Sequence, residues 1–285
     1  MTVTSSPHAL LLRTAGGCDL NPERLLGVFV EQRRRLLTDL RSFGPEQWSA
    51  PTRCPQWSVQ DMVRHLCDVT RAIAAGPGDR TFDLTAGFDP RTTPSRWLAA
   101  SAGESPAASL DRLAAVTDEA FAVARDRLAR DERFDVVLPY GAMDWTVLVL
   151  HVLWDSWLHE RDIFAALDVD RPVDVEATSY ATAYGLFIAA AVAQMVGDRA
   201  RQRLELGGDG GGIFELDTHH SVHSVHSVAL TATWLASAGP PAAEVTDALA
   251  GRGPADVLDV MPAEARTALT RLATVFTMPV DETAA

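Results

Sequence analysis

The stretch DWTVLVLHVLWDSWLHERDIFAAL, residues 144–167, decides the fold. Its apolar residues (Val147, Leu148, Leu150, Val152, Leu153, Leu158, Ile163, Phe164 and Leu167) cover too much of the surface for a helix lying half in water. The pattern predicts a helix capped by Asp144 and buried on most sides. Into that setting it places His151, Asp155 and His159, spaced by four and therefore on one helix face. Neutral imidazole and carboxylate are ordinary ligands of a divalent metal. Buried polar groups are costly unless something satisfies them. This helix therefore carries the candidate chemistry.

Its neighbours read as further long helices. Asn21-Pro22-Glu23 combines a cap, a first-turn proline and an early acid, and starts a helix over about 22–42. The run Arg33-Arg34-Arg35 is read as its solvated side. A connector with several Pro and Trp residues follows, and Ser58 with Asp61 makes a capping box for a helix over about 59–75. Residues 76–105 are rich in Gly, Pro, Thr and Ser, with a short helix near 94–102, and suggest a lid or entry wall. A third long helix runs from Ser105 to about 131, and a fifth from about 174 to 196. Long helices with short connectors predict an up-and-down bundle.

The texture changes after Gly197. GGDGGG between short alternating runs predicts a hairpin, and helices are expected to open near Thr231–Ala236 and to span about 263–276. The expected organisation is a loose leader at 1–19, a metal-binding helical bundle at 20–197 and a small α+β domain at 198–285. The repeat HSVHSVHSV, His220 to Val228, has a period of three that fits neither a helix face nor a strand. It reads as a solvated loop and strand edge, with a second metal site or ligand wall at His219, His220, His223 and His226 as the sharper alternative.

Bulk composition narrows the partners. The formal net charge of −13 over 285 residues argues against a phosphate-binding surface and so against nucleic acid. The most apolar run, Tyr184–Val196, is too short to span a bilayer, so no membrane partner is expected. Cys18, Cys54 and Cys67 form no CxxC pair, and with no secretion signal the expected compartment is the reducing cytoplasm. Cys54 and Cys67 read as packing residues.

A helix rises about 1.5 Å per residue, so one ion can take Asp155 with His159, or Asp155 with His151, but hardly all three. A third ligand must come from another helix, where His65 is the remaining histidine on a helix of the bundle. Two His and one carboxylate would leave open positions, as in a catalytic site. A lone His on an apolar helix is more often a hydrogen-bonded core residue.

APTRCPQWSVQDMVRHL, residues 50–66, resembles the opening of the mycothiol-dependent maleylpyruvate isomerase family, part of the DinB-like superfamily of metal-binding four-helix bundles. Cys54, Trp57, Ser58 and His65 sit on its pattern, and Asp155, Trp157, His159 and Asp162 on a second one. The resemblance implies a DinB-like four-helix bundle with a sterol-carrier-like α+β tail. It also implies a divalent metal, most simply zinc, on His65, Asp155 and His159. Family members usually have Glu where this chain has Asp155, a loss of roughly 1.5 Å of reach. The family's Trp-Leu-x-Gly-Arg segment is split here between TWLASAG (233–239) and LAGR (249–252), which makes Arg252 the candidate catalytic arginine.

The expected activity is that of a metal-dependent enzyme using mycothiol as thiol cosubstrate. S-transfer to a small electrophile is favoured over thiol-assisted isomerisation. A thiol-free hydrolase, lyase or cyclase and a non-catalytic binding module are the alternatives. The expected assembly is a monomer or homodimer.

Overall fold

The computed structural model describes residues 9–13, 20–75, 89–138, 140–172, 174–197, 201–218, 221–222, 225–226, 229–233 and 236–276. In chain order these form β1 (Ala9–Arg13), α1 (Pro22–Leu40), α2 (Pro45–Ser49), α3 (Val59–Thr70), α4 (Thr93–Ala99), α5 (Pro106–Ala129), β2 (Asp135–Leu138), β3 (Gly141–Asp144), α6 (Trp145–Ala166) and α7 (Val175–Met195). The tail adds β4 (Arg201–Leu206), β5 (Gly212–Asp217), β6 (Ser221–Val222), β7 (Val225–His226), β8 (Ala229–Thr233), α8 (Ala242–Leu249) and α9 (Ala263–Phe276). The protein is mainly α, a helical bundle followed by a small α+β region.

Side-chain caps fix where the long helices begin. Asn21 accepts from Arg24 N, Ser58 and Asp61 close a reciprocal box, Ser105 accepts from Ala108 N, and Asp174 accepts from Glu176 N and Ala177 N. Each satisfies amide donors that the first helical turn leaves open. Helices α1, α5, α3 and α6 pack in that cyclic order into the four-helix bundle, and α4 lies over α3. Helix α6 is buried along most of its length.

Helix α7 is apolar all round because it is covered from two sides. It packs on α6 and α1, and on α8, α9, β5 and β8 of the tail. It is long and apolar enough to cross a membrane, but 83% of its apolar window is buried inside the fold. One continuous core therefore runs from bundle to tail, joining Leu153 and Trp157 of α6 to Tyr184 and Phe187 of α7 and Val245 and Leu249 of α8.

The four-stranded antiparallel sheet has the order β1-β8-β5-β4. Leu12, Leu204, Leu206, Phe214, Leu216, Leu230 and Ala232 are buried, while Arg203, Glu205 and Glu215 are exposed. This is the alternation of a sheet with one wet face. The expected hairpin around GGDGGG is β4–β5. At its turn Gly210 has φ +78° and lies so close to Thr178 of α7 that a Cβ there would sit 2.7 Å from the threonine methyl.

Several expectations need correction. Ala9–Arg13, placed in a loose leader, pair with β8 from Ala9↔Thr233 to Arg13↔Ala229. Thr231–Thr233, expected to open a helix, belong to strand β8. Arg33, read as solvated, is 0% exposed, because it shares the face of Phe29, Leu36 and Leu40. His219, His220 and His223, Cys18, and residues 76–88 of the proposed lid lie outside the described residues.

Candidate metal centre

Helix α3 supplies His65, and α6 supplies Asp155 and His159. The Nε2 atoms of both histidines lie 3.4 Å from Asp155 Oδ1. That is long for a charge-assisted N–H···O bond, which is about 2.7–2.9 Å. It does match the spacing of neighbouring ligands on a tetrahedral ion with bonds of about 2.1 Å, whose edges are roughly 3.4 Å. The two imidazoles cross at 89° with centroids 4.9 Å apart, so both nitrogens converge without the rings stacking. The ring of Trp57 packs against His65 at 4.9 Å and shields the group from one side. Oδ2 of Asp155 and Nδ1 of His65 are buried with no hydrogen-bond partner among the described residues. Two nitrogens, one carboxylate oxygen and an unpartnered second oxygen fit a divalent cation.

A charged layer lies behind this set. His159 Nδ1 donates to Asp162 Oδ2 at 2.9 Å, which leaves Nε2 as the ring nitrogen that would donate to a metal in place of its proton. Asp162 also accepts from Arg53 Nε at 2.8 Å and Arg252 Nε at 3.2 Å. Arg53 and Arg161 both donate to Asp247 of α8, so the tail is bound to the bundle directly behind the site. Burial opposes ionisation of Asp162, but Arg252, His159 and Arg53 outweigh it and hold the carboxyl far below the usual carboxylate range. Burial likewise opposes the charge on Asp155, and His159 and His65 more than offset it. For His159, burial disfavours the imidazolium, yet Asp155, Asp162 and Cys54 raise its pKa well above the ordinary histidine value.

Cys54, His159 and Asp162 form a second convergent group. Arg252 already supplies its cation, because Nη2 meets Cys54 Sγ at 3.2 Å while Nε holds Asp162. The buried Cys54 is thus part of the charged layer as well as a packing residue.

The three candidate ligands face one cavity of about 370 Å³. His65, Asp155, His159, Cys54 and Arg252 line one region of it, and the remaining walls are largely apolar. Pro90, Pro94 and Trp97 from the segment around α4 help to form a wall. His151 also lines the cavity, but it is turned to Tyr184, with Nδ1 2.9 Å from the hydroxyl, and stands outside the ligand set. Arg53, Asp247 and Tyr184 were not singled out by their sequence context. No local spacing marks them, since their partners lie 33 or more residues away.

Residues 29–164 match the family model of the mycothiol maleylpyruvate isomerase N-terminal domain. This helical segment belongs to that family. The family lies within the DinB-like superfamily, and the match covers α3 and α6, the two helices that bring His65, Asp155 and His159 together. That family is mycothiol-related and metal-binding. Arg252 and Asp247 lie beyond the matched span. No curated protein and no solved structure matches the chain.

Proposed function

We propose that the protein is a metal-dependent enzyme that uses mycothiol, or a closely similar low-molecular-weight thiol, for S-transfer to a small electrophile. The observation that supports this reading is the convergence of His65, Asp155 and His159 at 3.4 Å spacings on the wall of a cavity. His65, Asp155 and His159 would hold a divalent cation, with zinc the simplest choice for this donor set, and the chemistry it would supply is a lowered thiol pKa, so that thiolate forms at neutral pH.

The chain's own residues do the rest. His65 and Asp155 come from different helices, so packing of α3 on α6 sets the geometry of the donor set. Asp162 fixes the His159 tautomer, and Arg252 and Arg53 fix Asp162. Arg252 brings a retained positive charge to the cavity wall, where it can hold an anionic oxygen that develops on the substrate. The sulfur lone pair forms the new C–S bond. The displaced electrons pass to the electrophile's oxygen or leaving group. Retention of the sulfur completes S-transfer, whereas expulsion of the thiol after bond rotation gives isomerisation. This chemistry requires a reducing compartment such as the cytoplasm, and a small-molecule substrate with the thiol is partner enough.

The test is turnover of metal-loaded protein with mycothiol and bromobimane, a thiol-reactive electrophile, above the uncatalysed rate. Asp155→Ala and His65→Ala are expected to abolish the enhancement, and Arg252→Gln to lower kcat with metal content unchanged. No thiol-dependent enhancement with zinc, nickel or manganese would overturn the proposal. Turnover that persists without any thiol would favour a hydrolase or lyase on the same centre.

A further inference from the structure

The cavity says more about the second substrate than the metal ligands do. Its aliphatic and aromatic lining includes Val69 of α3, Leu148 and Leu158 of α6, Ile188 of α7, and Leu272 and Phe276 of α9. About 370 Å³ falls within the range of ligand sites, about 300–1,000 Å³. Among its lining residues the one carboxylate is Asp155 and the one arginine is Arg252, and Arg252 is held by Asp162. A small polyanion entering such a chamber would lose its hydration against largely apolar walls, where the one arginine is already paired.

One polar feature stands apart from the donor set. His151 lies on α6 one turn before Asp155 and lines the same cavity. Its Nδ1 meets the Tyr184 hydroxyl at 2.9 Å, and the Tyr184 hydroxyl in turn meets that of Tyr140. Tyr184 is 0% exposed and lies on α7, so the imidazole is anchored from a second helix. Burial disfavours the charged form of His151 and keeps the ring neutral. A neutral imidazole carries one proton. When Tyr140 donates to Tyr184 and Tyr184 to Nδ1, that proton sits on Nε2, the ring nitrogen left for the cavity.

We propose that the cavity takes an apolar carbonyl compound, an aryl or alkyl ketone or enone rather than a small dicarboxylate, and that His151, backed by Tyr184 and Tyr140, donates a hydrogen bond to its oxygen. The proposal rests on the thiol-transfer reading for why the bound molecule is an electrophile. The apolar walls and the His151 relay stand without it.

The experiment uses metal-loaded protein with no thiol and no turnover. Binding of 2-acetylnaphthalene is compared with that of 2-ethylnaphthalene, which has nearly the same shape without the oxygen, by quenching of tryptophan fluorescence. Both are expected to bind, with the ketone about five- to tenfold tighter, the worth of one neutral hydrogen bond. His151→Phe and Tyr184→Phe are expected to erase that preference while leaving hydrocarbon affinity and metal content within about twofold, which separates the relay's role from a general structural one. Equal affinity for the two naphthalenes in the unaltered protein overturns the role of His151. Maleate that displaces the ketone at concentrations below the ketone's own Kd overturns the apolar substrate class. If bromobimane turnover fails while the ketone preference holds, thiol transfer falls and this site stands. If turnover occurs but a dicarboxylate is preferred, thiol transfer stands and this site falls.

Discussion

Replacing Asp162 by Asn isolates the electrostatic support of the candidate metal centre from its shape. Asp162 is 0% exposed and takes three nitrogen donors, His159 Nδ1 at 2.9 Å, Arg53 Nε at 2.8 Å and Arg252 Nε at 3.2 Å, beside the Cys54 thiol at 3.8 Å. Asparagine keeps the volume, loses the charge and turns one acceptor into a donor. Loss of a carboxylate behind a metal-bound histidine costs about 10–100-fold in metal affinity, or about 1.4–2.7 kcal/mol. Arg53 keeps Asp247, whereas Arg252 loses the carboxylate it is paired with, so stability should fall by about 3–5 kcal/mol at most. Zinc affinity is read by competition with a chromophoric chelator, and stability by urea unfolding of the metal-free protein. The sign with pH follows from the depressed carboxyl: its contribution is present above the unfolded value of about 4 and lost as pH falls through the folded one. Asp162→Asn should therefore flatten the acid side of the stability profile. Arg53→Gln is the control, since Arg53 touches Asp162 but is not paired with His159. A zinc affinity unchanged in Asp162→Asn, or equally weakened in Arg53→Gln, would refute the reasoning.

Other perturbations test separate parts of the structure. Alanine at His65, Asp155 or His159 should each reduce bound zinc to below about a tenth of an equivalent by elemental analysis, while His151→Phe should leave it near full occupancy. Arg33 is fully buried with Nε and Nη1 unpartnered among the described residues, so Arg33→Met should stabilise by about 1–4 kcal/mol in urea unfolding, and a loss of stability would count against an uncompensated charge. Gly210→Ala combines a positive φ with the approach of Thr178, and should cost about 2–4 kcal/mol. Burial raises the phenol of Tyr180 to about 12 and that of Tyr184 well above the usual value, so of the three tyrosines no more than one should show phenolate absorbance at about pH 10.5 in the folded state. The unfolded chain releases those protons first, so stability should fall as pH rises above about 10, and Tyr184→Phe should lessen the slope.

The bundle was legible because its signals are local. Asn21-Pro22, the Ser58–Asp61 box and Ser105-Pro106 each name a helix start within a few residues, and the caps form as their spacing requires. Arg33 was legible too, by a rule that was outweighed: positions 26, 29, 33, 36, 37 and 40 recur at helical spacing, and all are buried. Reading three adjacent arginines as one solvated patch ignored that neighbours on a helix point about 100° apart. Strands β1 and β8 were not legible. Their pairing joins Ala9 to Thr233, and nothing local in ALLLR distinguishes a sheet edge from a leader. The apolar character of α7 was visible, but its cause was not, because most of its covering comes from the tail.

The centre divides along the same line. Spacing left Asp155 with His159 and Asp155 with His151 both open and offered His65 as the remaining histidine on a bundle helix, whereas the choice of His65, Asp155 and His159 as one set came from the resemblance. The shortness of Asp155 relative to glutamate raised the question of whether its carboxylate reaches at all. Its Oδ1 lies 3.4 Å from both nitrogens, so the shorter carboxylate does reach both. His65 comes from α3, which packs directly on α6, and this ties the geometry of the site to the core. A glutamate restored at position 155 would have to push its oxygens past the converging nitrogens or part the two helices by up to about 1.5 Å. The side-chain change common in the family should therefore weaken zinc binding here instead of strengthening it. A tighter zinc affinity in Asp155→Glu would show that the close packing of α3 on α6 is not what positions the carboxylate.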